Sequence, residues 1–195
     1  MSAPSIRETG RWTGGALPTN VRLGPGTVIT GDRWTESQVF RKFASRLDPG
    51  LVIGAECRMD GVLFNVGERG RVTIGDHCRF EEVFLIAEQE IRIGSRVIIG
   101  WRSTIVDADF HPLSPAERLR DVVACSPLSA GIPRPSISCR PVVIEDDVWI
   151  GPNATILKGT RIGAGAFVEP GAVVVQDVLP RTRVLGNPAK QIGEV

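Results

Sequence analysis

From Val142 to Val178 the chain reads VVIEDDVWIGPNATILKGTRIGAGAFVEPGAVVVQDV. Ile144, Ile150, Ile156, Ile162, Val168 and Val174 recur at every sixth residue. Four positions after each stands Val148, Ala154, Thr160, Ala166, Ala172 or Val178, all small or β-branched. With Ile, Leu and Val at about a quarter of positions, six aliphatic hits in succession are expected roughly once in four thousand windows. A period of six fits neither a helix nor the alternation of a long strand. It fits a parallel β-helix in which each hexad is one short strand and one turn, with three hexads closing a triangular coil of roughly 18 residues. The first residue of each hexad points inward, so Ile144 stacks with Ile162 and Ile150 with Val168, at an interstrand spacing of about 4.8 Å. The small fifth residue lets the wall turn a corner, and glycine there supplies positive φ.

Outward from this stretch the pattern loosens. Ile53-Gly54, Ile74-Gly75, Ile93-Gly94 and Ile99-Gly100 anchor earlier hexads, and Leu23-Gly24-Pro25-Gly26-Thr27 resembles an outlying one. Cys57 and Cys78 take the fifth position of their hexads and are expected to face the core as small apolar residues. Phe40, Phe43, Ala44 and Leu47 have helical spacing, with Thr35 and Gln38 as a capping box, though an irregular coil strand fits the same residues. Between residues 107 and 141 the repeat is lost, and six of the chain's 14 prolines fall there. A long irregular insertion in a repeat domain points to function. Cys125 and Cys139 lie in it, where a disulfide is geometrically open.

The chain of 195 residues fits one domain. We divide it into an N-terminal segment of irregular or partial coil (1–50), coils over 51–106 and 142–179, an excursion loop (107–141), and a C-terminal turn and tail (180–195). Lys plus Arg is 23 and Asp plus Glu 22, so no basic field favours nucleic acid and no polybasic anchor favours a membrane. The opening MSAPSIRETGRWTGG has no apolar core of a signal peptide, and no apolar run approaches a membrane span. A cytoplasmic protein with reduced thiols is the expectation.

Three blocks carry a family resemblance: DADFHPLSPAER, RPVVIEDDVWIGPNATILKGTRIGAGAFVEPGAVVVQDV and VLGNPAKQI. They cover about 90 residues and resemble the hexapeptide-repeat acyltransferases, most of all the branch of galactoside, maltose and other sugar O-acetyltransferases. The resemblance implies an all-β, left-handed parallel β-helix, an exception to the right-handed crossover preference. It also implies a homotrimer with active sites in the clefts between subunits, and transfer of an acetyl group from acetyl-coenzyme A to a hydroxyl or, in some members, an amine. No metal is implied.

Acetyl transfer needs a base for the attacking group, stabilisation of the thioester oxyanion and fixed substrate geometry. Histidine suits the first task. Of the two histidines, His77 sits at a coil corner, and His111 stands between a strict coil and the proline-rich loop. His111 matches the family's catalytic histidine and is assigned as general base, with direct attack of the acceptor on the thioester. Asp107 and Asp109 are the candidates to orient it or to bind the acceptor. By resemblance, Trp149, Gly151 and Asn153 lie along the pantetheine and oxyanion, with Pro152 lacking an N–H. Pro170, Gly171, Val175, Gln176 and Lys190 align with the coenzyme edge, where Arg181 and Arg183 can assist. Gln176 stands where many members have lysine. Glu81, Glu82, Phe84 and Arg118 are the acceptor candidates, and Glu88 is another carboxylate within reach. Glu145, Asp146 and Asp147 read as solvated corner charges. Two rivals remain: a γ-type carbonic anhydrase-like metalloenzyme, which needs three ligands where the chain has two histidines, and a non-catalytic β-helix scaffold.

Overall fold

A computed structural model of the chain describes residues 10–31, 38–126 and 131–195. A short strand, β1 (Arg11–Trp12), precedes six stacked coils. The first holds β2 (Val21–Leu23) and β3 (Val28–Thr30). The second holds β4 (Leu51–Ile53), β5 (Arg58–Asp60) and β6 (Leu63–Val66). The third holds β7 (Arg71–Ile74), β8 (Arg79–Glu81) and β9 (Phe84–Ala87). The fourth holds β10 (Glu90–Ile93), β11 (Ile98–Ile99) and β12 (Thr104–Val106). The excursion follows and contains a helix, α1 (Pro115–Ala124). The fifth coil then holds β13 (Val142–Ile144), β14 (Trp149–Ile150) and β15 (Thr155–Ile156). The sixth holds β16 (Arg161–Ile162), β17 (Phe167–Val168) and β18 (Val173–Val174). A hairpin of β19 (Thr182–Gly186) and β20 (Ala189–Glu194) closes the chain.

Each coil visits three walls in turn. Wall B takes β2, β4, β7, β10, β13 and β16; wall A takes β3, β5, β8, β11, β14 and β17; wall C takes β6, β9, β12, β15 and β18. All pairings within the coils are parallel. Ile144 registers with Ile162 and Ile150 with Val168, so inward aliphatics form continuous columns. The excursion occurs between β12 and β13 without disturbing the stack: Ile91 still registers with Val142 and Thr104 with Thr155. Ile99, Ile105, Ile144, Ile150 and Ile156 are 0–1% exposed. Each such side chain contributes about 1.5–3 kcal/mol on burial. Cys57 and Cys78 are buried among them as free thiols.

The turn chemistry differs from expectation. The left-handed residue stands one place before the small fifth residue, and it is often not glycine: His77 (φ 56), Arg96 (φ 58), Asp147 (φ 60) and Asn153 (φ 56). The fifth residue points inward and must be small, while the fourth reverses the chain at the surface, where a long polar side chain has room. Where glycine stands at the second position, as at Gly54, Gly75, Gly94 and Gly151, neighbouring coils approach too closely for a Cβ. A Cβ on Gly54 would lie 2.7 Å from the Gly75 backbone.

Residues 38–47 make an irregular wall-C segment rather than a helix. Phe43 bridges Val66, and the Ala44 N–H donates to the Val66 carbonyl at 2.8 Å. Thr35 of the expected capping box lies outside the described residues. Phe40 stacks on Phe64 and meets Trp12 and Phe43 edge-on, so four aromatics cover the open end of the aliphatic column. No helix among the described residues is long and apolar enough to cross a membrane.

Candidate active site

The excursion leaves the prism at the corner between walls C and B. Asp107 anchors its root. The carboxylate is fully buried and accepts hydrogen bonds from the N–H groups of Glu88, Gln89 and Glu90 at 2.7, 2.8 and 2.6 Å. Burial pushes its pKa up, and the three N–H donors oppose the rise. The two ends of the excursion then pair. Ala108 bridges Cys139, the Asp109 N–H donates to the Ser138 carbonyl, and the Arg140 N–H donates to the Asp107 carbonyl. Lys158 Nζ, from the next coil, donates to Asp109 Oδ2 at 2.6 Å and to Ser138 Oγ at 2.9 Å. Asp107 and Asp109 therefore hold the stem, and neither contacts the imidazole in the manner expected of an orienting group.

That role falls to Asp121, which sequence reasoning missed. His111 Nδ1 lies 2.6 Å from Asp121 Oδ2. The Asp121 side chain is 0% exposed and the His111 side chain 56%. Asp121 is the buried residue of α1, while Leu119, Val122 and Val123 on the same helix are exposed. The helix is thus inverted relative to the usual amphipathic rule. Pro115 at its first turn and acidic Glu117 were the readable signals of its start. Arg134 completes the group: Nε donates to Asp121 Oδ1 at 2.7 Å and Nη2 to Oδ2 at 3.0 Å. Principally through Arg134, and secondly through His111, the Asp121 carboxyl is held down to about 2. An ionised carboxylate can only accept, so Nδ1 carries the hydrogen and a neutral ring keeps its lone pair on Nε2.

His111 lines an open pocket of about 480 Å³ with Asp109, Phe110, Lys158 and Val175. Of the residues expected to bind coenzyme, Val175 shares this pocket, and Gln176 adjoins it on the same C–B edge. Gly151, Asn153, Pro170 and Gly171 lie instead on the edge between walls A and C, and Trp149 lies on wall A. Trp149 is 52% exposed and stacks on Phe167 at a centroid distance of 4.3 Å. The Gly151 N–H already donates to the Val168 carbonyl and the Asn153 N–H to the Trp101 carbonyl, so the coil ladder uses both oxyanion candidates. Lys190 is exposed on β20, opposite Leu185. Arg183 pairs with Glu169 and lies over the Phe167 ring.

The acceptor candidates are also dispersed. Glu81 and Glu82 line a separate pocket of about 540 Å³ on the A–C edge, with Asp60, Trp101 and Arg102. Phe84 faces out from wall C, half-exposed. Arg118 donates to the Pro112 and Leu113 carbonyls and so braces the loop after His111. Glu145, Asp146 and Asp147 are paired corner groups rather than merely solvated ones: Arg96 bridges the two aspartates, and Glu145 meets Arg161. Cys125 and Cys139 are free thiols. His77 sits on the B–A corner, away from the His111 edge, and the described residues hold no group of three His, Cys, Asp or Glu placed to bind a metal.

Comparison with known proteins fits this architecture. The bacterial transferase hexapeptide (six repeats) model matches residues 141–176. A hexapeptide-repeat-containing acetyltransferase from Vibrio cholerae is 33% identical, over 71% of this chain and 69% of that one, with a TM-score of 0.54. The chain belongs to this hexapeptide-repeat family, whose fold is the left-handed β-helix. A 2,3,4,5-tetrahydropyridine-2,6-dicarboxylate N-acetyltransferase from Staphylococcus aureus (strain bovine RF122 / ET3-1) is 53% identical over 70 residues, which are 36% of this chain and 29% of that protein. The chain thus spans less than a third of the length of the curated relatives it matches. An N-acyltransferase from Bacillus cereus, solved with dTDP and 3-hydroxybutyryl-CoA, is 17% identical, over 90% of this chain and 80% of that one. Its TM-score is 0.58, a likeness of fold.

Proposed function

We propose that the protein transfers an acetyl group from acetyl-coenzyme A to a hydroxyl of a sugar or small-molecule acceptor, in a ternary complex, in the cytoplasm. The observation that carries this reading is His111, whose Nδ1 is fixed by buried Asp121 while the ring lines an open pocket. Nε2 takes the acceptor proton as the acceptor oxygen attacks the thioester carbonyl. The tetrahedral intermediate collapses with loss of the coenzyme thiolate, which takes up a proton. Lys158, half-buried beside Asp109 in the same pocket, holds the pocket wall in place. Family membership supports coenzyme A as the donor carrier. An amine acceptor is the second reading, favoured by the N-acetyl transfer named for the Staphylococcus aureus relatives.

The site is proposed to form between copies in a homotrimer. His111 and Val175 stand on one edge of the prism, and Trp149, Gly151, Pro170 and Glu82 on or near another. A second copy whose A–C edge lies against the His111 edge unites them. Release of coenzyme thiol from acetyl-coenzyme A, measured over sugars and amines, tests the activity. His111→Ala is expected to lower turnover about 10²–10⁴-fold with folding unchanged. Undiminished release would sink the reading. Mixing inactive His111→Ala with an inactive A–C edge variant is expected to restore activity in mixed assemblies, and no restoration would place the whole site within one copy.

A further inference from the structure

The buried carboxylate behind His111 poses an electrostatic problem. A lone anion at 2.6 Å from an imidazole favours the imidazolium, and a ring that already holds its proton cannot act as a base. Building on the base role proposed above, we infer that Arg134 is a positioning residue of the His111–Asp121 pair: its guanidinium clamps the carboxylate and offsets its charge, so that Asp121 orients the ring without fixing a second proton on it.

The geometry supports both halves. Arg134 grips both carboxylate oxygens, through Nε at 2.7 Å and Nη2 at 3.0 Å. A planar fork of this kind fixes the carboxylate plane as well as its place. Nη2 also donates to the Phe110 carbonyl at 3.3 Å, tying the same guanidinium to the backbone just before His111. Oδ2 is shared by Nη2 and Nδ1, so any rotation of the clamp moves the ring. The Asp121 carboxylate is fully buried, where charges are poorly screened, and Arg134 is the cation in contact with it.

The other charged and titratable groups nearby are placed differently. At the C-cap of α1, Cys125 Sγ lies 3.9 Å from Asp121 Oδ1, and within the helix the Arg118 guanidinium is bound to loop carbonyls. From the third coil, Glu88 acts electrostatically on Arg134. Asp109, Lys158 and Arg140 line the pocket wall, with the first two paired to each other.

The test uses the chain's two histidines, which give two sets of imidazole resonances in isotope-labelled protein. His77, at an exposed corner on another edge, is the internal reference. Arg134→Gln is expected to move the His111 titration midpoint up by about one pH unit relative to the parent, leaving His77 in place. Adding Asp121→Asn is expected to abolish that rise. Arg134→Lys, which keeps the charge and loses the fork, is expected to hold the midpoint and lower turnover about tenfold. A His111 midpoint in folded Arg134→Gln that equals or falls below the parent's overturns the charge role. Full turnover in Arg134→Lys overturns the positioning role, and it does so even where Arg134→Gln does not fold. An active His111→Ala would refute the base reading, while the titration would still judge the clamp.

Discussion

The coils and the excursion are built on opposite rules. In residues 142–178 every sixth side chain is aliphatic and buried, and these stack on others of their kind in neighbouring coils. In residues 107–141 the buried side chains that fix the geometry include two carboxylates, Asp107 and Asp121, each held by its own donors. The coil tolerates variation because its support is repeated and non-directional. The excursion has little redundancy, because hydrogen bonds demand particular partners at particular angles. A scaffold of the first kind gives a stiff edge, and a network of the second kind gives one imidazole one orientation.

The contrast can be broken at several points. Ile150→Ala removes a fully buried side chain stacked between Ile99 and Val168. It is expected to cost about 2–5 kcal/mol of global stability, read in denaturant unfolding, while the His111 environment below the transition stays unchanged. A purely local loss there would contradict the coil as one cooperative stack. Asp107→Ala leaves three N–H groups without their acceptor. We expect a loss of about 1–3 kcal/mol, with amide exchange accelerated at Glu88, Gln89 and Glu90. Uniform acceleration along the coils would argue against a root anchor.

Acid offers a gentler probe. The folded Asp121 carboxyl, at about 2, lies below its ordinary 3.8, so its ionised form favours folding. That contribution is complete above the ordinary value and is lost as pH falls from 3.8 towards 2. The excursion is expected to loosen in that window before the coils do, visible as earlier proteolysis within 107–141. Simultaneous loss would remove the distinction between the regions. Smallest of all, Lys158→Met breaks a partly buried pair and should cost about 1 kcal/mol or less, shown by slightly faster exchange at Asp109.

How far the sequence carried each region follows from the same contrast. The inward columns were legible because hexads repeat at fixed spacing. His111 could be proposed because its motif is contiguous. Asp121 and Arg134 could not, since they stand 10 and 23 residues beyond His111, in a stretch with no period. The inverted helix misled further: its apolar Leu119, Val122 and Val123 face outward, and its charged residue is the buried one. The corner rule was displaced by one position, because a repeat shows that small residues recur without showing which of them reverses the chain.

Sequence alone determined the β-helix, its coil length and its inward residues, and it singled out the histidine for which a base role is proposed. It could do so because apolar burial depends on periodicity, which is a property of the chain read in order. Tertiary structure alone decided which carboxylate meets that histidine, that an arginine holds the carboxylate, that the coil ladder already uses the Gly151 and Asn153 N–H groups, and that the expected site residues fall on separate edges. These depend on where an aperiodic segment folds back and on which corner each hexad occupies, and hydrogen bonds are chosen by proximity in space rather than by spacing along the chain.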